Sequence, residues 1–195
     1  MNDLQNLIKL ISKLPSLGQR SARKIALDLL ENKDSKMLPL IESLKLTLQN
    51  TKHCQICGNL DSSEICGICS NASRDDNVIC IIPDVADLWT IEKSAVFNGK
   101  YHILGGILSA INGVGPADLN IEKLIQRIKK NPPKEVILAI NSTMDGQTTS
   151  YYLQDLLKEF EIKISKLTSG IPIGSELDYL DEGTLGIAFK TRGEF

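Results

Sequence analysis

Cys54-Gln55-Ile56-Cys57 and, after eight intervening residues, Cys66-Gly67-Ile68-Cys69 divide this 195-residue chain into two different textures. Before them the sequence has only helical periodicity, and after them strand and helix patterns alternate. Each pair sets two thiolates on one tight turn, and two such turns complete a tetrahedron around zinc. Four sulfurs leave no open position for water, so the role expected of this Zn2+ is structural. The competing readings are two disulfides or four free thiols. The opening MNDLQNLIKLISKLP has no basic stretch followed by an uninterrupted apolar one, so no signal peptide is read and a cytoplasmic protein is expected. In a reducing compartment this spacing favours metal. Gly58 and Gly67 sit where knuckle turns are expected to need unusual backbone angles. His53 adjoins the first cysteine but is not needed as a ligand.

Towards the N-terminus, Leu4, Leu7, Ile8, Ile11 and Leu14 recur at helical spacing, and Pro15 and Gly18 interrupt them. A second helical pattern runs through Ala22, Ile25, Ala26, Leu29 and Leu30, and a third through Leu38, Ile41, Leu44 and Leu48. The turn between the first two, Leu14-Pro15-Ser16-Leu17-Gly18, leads into Arg20, Arg23 and Lys24, with Lys13 on the other side. The physical reading is a helix-hairpin-helix whose second helix starts with free N–H groups that favour a phosphate. Such contacts position DNA without reading its bases. The alternative is an ordinary helix-packing unit with solvated basic side chains.

Charge bears on the choice. The whole chain has a net charge of −2, which excludes a globally basic nucleic-acid binder. Residues 1–50 nevertheless carry eight basic against five acidic side chains, a local net of +3. With 42% hydrophobic and 24% charged residues the composition is that of an ordinary globular protein. No apolar run approaches the roughly 20 residues of a membrane helix, so no membrane association is expected.

Towards the C-terminus, Val78 to Ile82 reads as a buried strand and Val85 to Glu92 as a helix. Tyr101 to Leu104 is a short strand, Ile121 to Lys130 a helix, Glu135 to Ile140 a strand, Gln147 to Phe160 a helix and Ile162 to Leu167 a strand. Strands alternating with helices predict a mainly parallel sheet, and the fold class is α/β overall. Cys80, between Ile79 and Ile81, is expected as a buried thiol. Trp89 is expected in the core. The Ile111-Asn-Gly-Val-Gly-Pro116 stretch lacks the Lys-Ser/Thr of a P-loop and reads as a turn.

In order along the chain, LPSLGQRSARKIA, CQIC…CGIC, VICIIPDVADLWTIE, LGGILSAINGVGPADL, VILAINSTMDGQTTSYYL and SGIPIGSELDYLDEGTLGIAF together resemble the RecR family of bacterial recombination mediators. The resemblance implies a multi-domain α/β chain. Its parts are a helix-hairpin-helix DNA-binding region over 1–52, a four-cysteine zinc finger over 53–72, a Toprim domain over 76–168 and a C-terminal oligomerisation segment over 169–195. It further implies a homo-oligomeric ring around DNA, working with RecO and RecF at gapped DNA to load RecA, without catalysis. The family's basic DNA-contacting positions fall on Arg20 and Lys24, with Arg23 between them. The terminal segment, with Glu176, Asp178, Asp181 and Glu182, is similar to a family tail sometimes likened to a Walker B motif; without a P-loop it makes no case for ATP hydrolysis.

The alternative is a magnesium-dependent Toprim nuclease or primase-like enzyme. Toprim enzymes hold the metal with a glutamate after the first strand and an Asp-x-Asp-like run after a later one, stabilising charge in phosphoryl transfer. Here the later run is Asn141-Ser-Thr143-Met-Asp145, and Pro83 stands where RecR sequences usually have the glutamate. Asp145 is the one acidic residue in a matching position. Asp84 is read as the cap of the following helix and Asp87 as lying on its exposed face. Asp84, Asp87 and Asp145 otherwise form a candidate surface for RecO-like or RecF-like partners. A third possibility is a zinc-stabilised interaction protein that binds no DNA.

Overall fold

The computed structural model describes residues 2–167, 171 and 174–190. The chain forms two units, divided between Thr51 and Lys52. The first contains α1 (Asp3–Ile11), α2 (Gln19–Glu31), a single π-helical turn (Lys33–Met37) and α3 (Leu38–Asn50). Asn2 caps α1 by accepting from Leu4 N–H at 3.2 Å. Helices α1 and α2 pack together, and the buried side chains of α2 are the small Ala22 and Ala26.

The second unit opens with the cysteine knuckle. Strands β1 (Lys52–His53) and β2 (Leu60–Asp61) pair antiparallel, and one short helical turn, α4 (Gly67–Ser70), carries the last cysteine. There follow β3 (Asp75–Ile82), α5 (Val85–Ser94), β4 (Gly99–Ile103), α6 (Ile121–Lys130), β5 (Glu135–Leu138), α7 (Met144–Leu157) and β6 (Lys163–Lys166). After a 3-10 turn (Leu177–Tyr179) comes α8 (Glu182–Lys190). The oligomerisation segment expected over 169–195 falls partly outside the described residues.

The four longer strands make one parallel sheet in the order β4-β3-β5-β6. Its two faces follow from the period of two along β3. Ile79 and Ile81 join Leu124, Ile128, Val136, Leu138, Leu153 and Leu157 in one core beneath α6 and α7. Cys80 and Ile82 turn the other way, against Leu88 of α5, Tyr101 and Ile103. Cys80 is therefore the core thiol expected, and burial pushes its pKa up to about 12. Arg74 clamps α5 to the sheet: its guanidinium forks onto the Glu92 carboxylate and also donates to the Gly99 carbonyl at 3.1 Å. The Tyr101 hydroxyl donates to the same carboxylate at 2.6 Å.

Three expectations need correction. Trp89 is 60% exposed, because the core-facing position of α5 is taken by Leu88. Helix α7 begins at Met144, three residues before the expected Gln147, since Thr143 caps it and Gly146 does not break it. Asp87 is half-buried rather than exposed, and desolvation together with the nearby Asp84 raises its pKa.

His102 lies within β4 and is almost wholly buried, with Nε2 placed 2.9 Å from the Asn120 carbonyl. Burial, reinforced by the positive charges of Arg127 and Lys123, holds its pKa down to about 4 against an ordinary 6.5. Between these values the unfolded chain takes up a proton that the folded chain refuses. Stability is therefore complete above pH 6.5 and falls as pH drops towards 4, by about 3 kcal/mol if the full shift is expressed. Denaturant unfolding at stepped pH is expected to show this decline, and His102→Gln to flatten it.

Candidate functional site

The knuckle brings the four cysteines together. Among the described residues they are the one set of three or more metal-binding side chains whose donor atoms all lie within 4.8 Å of one another. Cys57 and Cys66 sulfurs stand 3.5 Å apart. Zinc–sulfur bonds of about 2.3 Å in a tetrahedron require edges close to this. The electrostatics also fit a cation. Burial opposes the Cys54 thiolate, yet N–H groups of Cys66, Cys57 and Ile56 outweigh it and bring the thiol down to about 7. Burial pushes Cys66 up to about 11. The hydrogen bond with Cys69, together with burial, drives Cys57 far above the usual thiol range. One thiolate is thus accommodated and its neighbours resist ionising, and a divalent cation relieves that conflict.

The turns are built as such sites need. Gly58 takes φ +81°, and a Cβ there would press on the Ile103 carbonyl. Gly67 does not meet the expectation: its backbone is helical at the start of α4, and nothing lies within 4 Å of a Cβ built on it. Its N–H instead donates to the Asp61 carboxylate, which also accepts from Ser63. Those backbone bonds hold the Asp61 carboxyl below its ordinary pKa. His53 is not among the clustered ligands, and its Nδ1 lies 3.1 Å from the Gly58 carbonyl.

Sequence reasoning passed over Lys100. A lysine within a strand reads as a solvated side chain, but this one is buried, donating to the carbonyls of Ile68, Cys69 and Asn71 at 3.0, 3.0 and 2.7 Å. It ties the knuckle to β4, as does the Ile103 N–H donating to the Cys57 carbonyl at 2.8 Å. No local signal marked it: the sequence pattern begins the strand at Tyr101, whereas β4 runs Gly99–Ile103 and takes Lys100 in.

In the hairpin, Leu14 N–H donates to the Ile11 carbonyl and Leu17 N–H to Leu14, and Ser16 takes φ 63°. Gly18 is the N-cap of α2 and supplies no side-chain cap, so the first-turn N–H groups are open. Arg20, Arg23 and Lys24 are all exposed, Arg20 and Lys24 on the helix side opposite the buried Ala22 and Ala26 and Arg23 on its flank. Lys13 is exposed as well, and none of the four is in an ion pair among the described residues.

The sheet order reverses direction between β3 and β5, the place where open parallel sheets bind ligands beyond their strand ends. The chain leaving β3 carries buried Pro83 and then Asp84, whose carboxylate caps α5 by accepting from Asp87 N–H at 3.0 Å. The chain leaving β5 carries exposed Asn141, then Thr143, whose hydroxyl accepts from Gly146 N–H at 3.1 Å, then Asp145 in the first turn of α7. Asp84, Asp87 and Asp145 do not gather within metal-binding distance.

Four family models match in sequence along the chain. They are the RecR helix-hairpin-helix over residues 4–47, the RecR four-cysteine zinc finger domain over 51–71, the Toprim domain over 77–168 and the RecR C-terminal model over 170–192. The "Recombination protein RecR" of Neorickettsia sennetsu is 47% identical over 189 residues, 97% of this chain and 96% of that protein. The chain belongs to the RecR family. RecR proteins of Bradyrhizobium sp. and Maricaulis maris are 46% and 47% identical, covering 99% and 97% of this chain. Within this RecR chain the knuckle coincides with the family's zinc finger, and the parallel sheet with its Toprim domain. No helix among the described residues is long and apolar enough to cross a membrane.

Proposed function

We propose that this chain is a non-catalytic recombination mediator, an oligomeric clamp that grips DNA through its hairpin. The observation that carries the reading is the open N-terminus of α2 with Arg20, Arg23 and Lys24 exposed beside it and Lys13 across the turn. Backbone donors and unpaired cations at one helix end suit phosphates and offer no code for bases. A net of +3 over residues 1–50 is a small footprint, and assembly into a ring multiplies it through effective concentration. Cys54, Cys57, Cys66 and Cys69 hold a structural zinc that keeps the knuckle folded.

The absence of chemistry rests on carboxylate supply. At the positions that would carry the ligands, Pro83, Asn141 and Thr143 offer no carboxylate and Asp145 is the one that does; Asp84 caps α5, and neither it nor Asp87 gathers with Asp145. One carboxylate is poor provision for a magnesium ion that must also stabilise phosphoryl transfer. The surface bearing Asp84, Asp87 and Asp145 is assigned to RecO-like and RecF-like partners, with action in the cytoplasm at gapped DNA.

The test is binding of single-stranded and gapped DNA across a salt series. Arg20→Ala/Lys24→Ala is expected to weaken binding about tenfold or more and to flatten the salt slope by roughly 1.4 to 1.8, as loss of two phosphate contacts requires. Unchanged binding rejects the hairpin. Magnesium-dependent cleavage that Asp145→Ala abolishes rejects the non-catalytic reading. Monomer at every concentration in solution mass measurements rejects the ring.

A further inference from the structure

A cleft of about 510 Å³ lies between the zinc knuckle and α6. Gln55 and Ile56 of the knuckle line one side, and Lys123, Gln126, Arg127 and Lys130 of α6 line another. The positions 123, 127 and 130 share one helix face by the spacing of four and three. We propose that this cleft is a second phosphate-binding site, taking the sugar–phosphate backbone of nucleic acid. The assignment extends the DNA-binding reading above and rests on it.

Charge is the first argument. Lys123, Arg127 and Lys130 are in no ion pair among the described residues. The negative groups on the lining are Asp76, 84% exposed and 3.5 Å from Lys100 Nζ, and the zinc ligand Cys69, against four cations, Lys100, Lys123, Arg127 and Lys130. Glu122, one position away, is engaged by the Gln126 amide at 3.2 Å. The surplus is felt inside the protein, since Arg127 and Lys123 both depress the pKa of buried His102. Zinc held by four thiolates carries net negative charge, and Lys100 lies against the Ile68 and Cys69 carbonyls to offset it. That leaves the α6 cations for a ligand.

Pre-organisation is the second. Arg127 donates one N–H to the Tyr101 carbonyl at 2.6 Å, which fixes the guanidinium and leaves most of its five donors available. An arginine so held forks onto a phosphate with little further ordering. Length is the third. From Lys123 to Lys130 the helix rises about 10 Å, enough to meet two neighbouring phosphates of one DNA strand. Cations at the end of α6 also complement its dipole, but that role does not require a walled cleft, nor a guanidinium pinned to a neighbouring strand.

The experiment uses the full-length zinc-loaded protein and oligonucleotides of single-stranded and duplex DNA over a salt series. Lys123→Ala/Lys130→Ala is expected to weaken DNA binding about tenfold and to flatten the salt slope by roughly 1.4 to 1.8. Lys93→Ala/Lys129→Ala, with the same change in net charge away from the lining, is expected to have little effect. Both cleft lysines are exposed; zinc content and helicity verify folding, and Lys123→Gln/Lys130→Gln repeats the test with side chains of similar length. If the cleft pair binds like wild type while Arg20→Ala/Lys24→Ala is weakened, the cleft assignment fails and the hairpin stands. If neither pair matters, the hairpin reading fails as well. Equal weakening by the Lys93/Lys129 pair means net charge and overturns the site. Titration with inorganic phosphate separates small-anion binding: lysine-dependent phosphate uptake with unchanged DNA affinity overturns the nucleic-acid assignment.

Discussion

Cys57→Ala is expected to abolish stoichiometric zinc and to unfold residues 52–71, the largest effect of any single substitution in the second unit. The knuckle's own core is little more than Cys54, Cys57 and Cys66, with Ile68 and Cys69 packed against them. A segment this size cannot bury enough apolar surface to offset its conformational entropy. Structural zinc sites contribute about 10 to 16 kcal/mol of apparent binding energy, all of it coupled to folding. Metal analysis, and hydrogen exchange at the Ile103 amide that bonds the Cys57 carbonyl, report the loss directly. Cys80→Ala supplies the contrast: it removes a thiol from the sheet core and leaves zinc in place. The pH dependence has a definite sign. Thiols at about 7 and about 11, and one higher still, must give up protons to bind metal. Zinc affinity therefore rises with pH and falls as the solution is acidified.

Gly146→Ala is the second large effect. A Cβ at this position would overlap the Asn141 carbonyl oxygen and crowd the Thr143 hydroxyl, which sits 3.2 Å from it. The obstacle is backbone, so no rotamer change relieves it. Either the loop leaving β5 shifts or the first turn of α7 opens, and the Thr143 cap is lost in both cases. A cost of about 3 kcal/mol or more is expected, in the range of overpacking combined with loss of a cap. Thermal or denaturant unfolding measures it. Gly67→Ala gives the control, because it adds the same methyl to a helical turn with nothing within 4 Å. Its effect is expected to be neutral or slightly stabilising.

The sequence was most readable where one physical requirement dominates. Paired cysteines at fixed spacing meet in space because a single ion demands it. Strands β3 and β5 were visible from the apolar runs Val78 to Ile82 and Val136 to Ile140, whereas β4 carries Lys100 and His102 and β6 is the mixed Lys163–Lys166. Asp84 was legible as a cap from its place ahead of the helix, and the structure shows that bond. Readings failed where the answer depends on partners distant in sequence. Trp89 is apolar enough for the core, but the inward position is set by the angle at which α5 crosses the sheet, and Leu88 takes it. Gly146 drew no reading, the helix being started at Gln147, whereas it is the residue that lets the preceding loop lie against that helix. Lys100 gave no local sign of burial, because its three acceptors come from residues 68 to 71. Arg127 reads as one more basic residue of an amphipathic helix, and its bond to the Tyr101 carbonyl is what sets it apart.

The bond from Ile103 N–H to the Cys57 carbonyl has a consequence beyond joining two modules. Strand β4 is the outermost strand of the parallel sheet, and all five of its residues are buried. An uncovered strand of this kind is a template for another chain to pair with, and proteins protect themselves by covering it. The knuckle supplies part of that cover, with Cys57 satisfying the Ile103 amide and Lys100 held beneath the chain of Ile68 to Asn71, while Arg127 and Asn120 hold the Tyr101 and Ile103 carbonyls. Metal loss thus unmasks a sticky β surface as well as unravelling a small motif. Demetallated protein is expected to aggregate through strand addition, which light scattering after chelation measures, and zinc would then be its guardian of solubility.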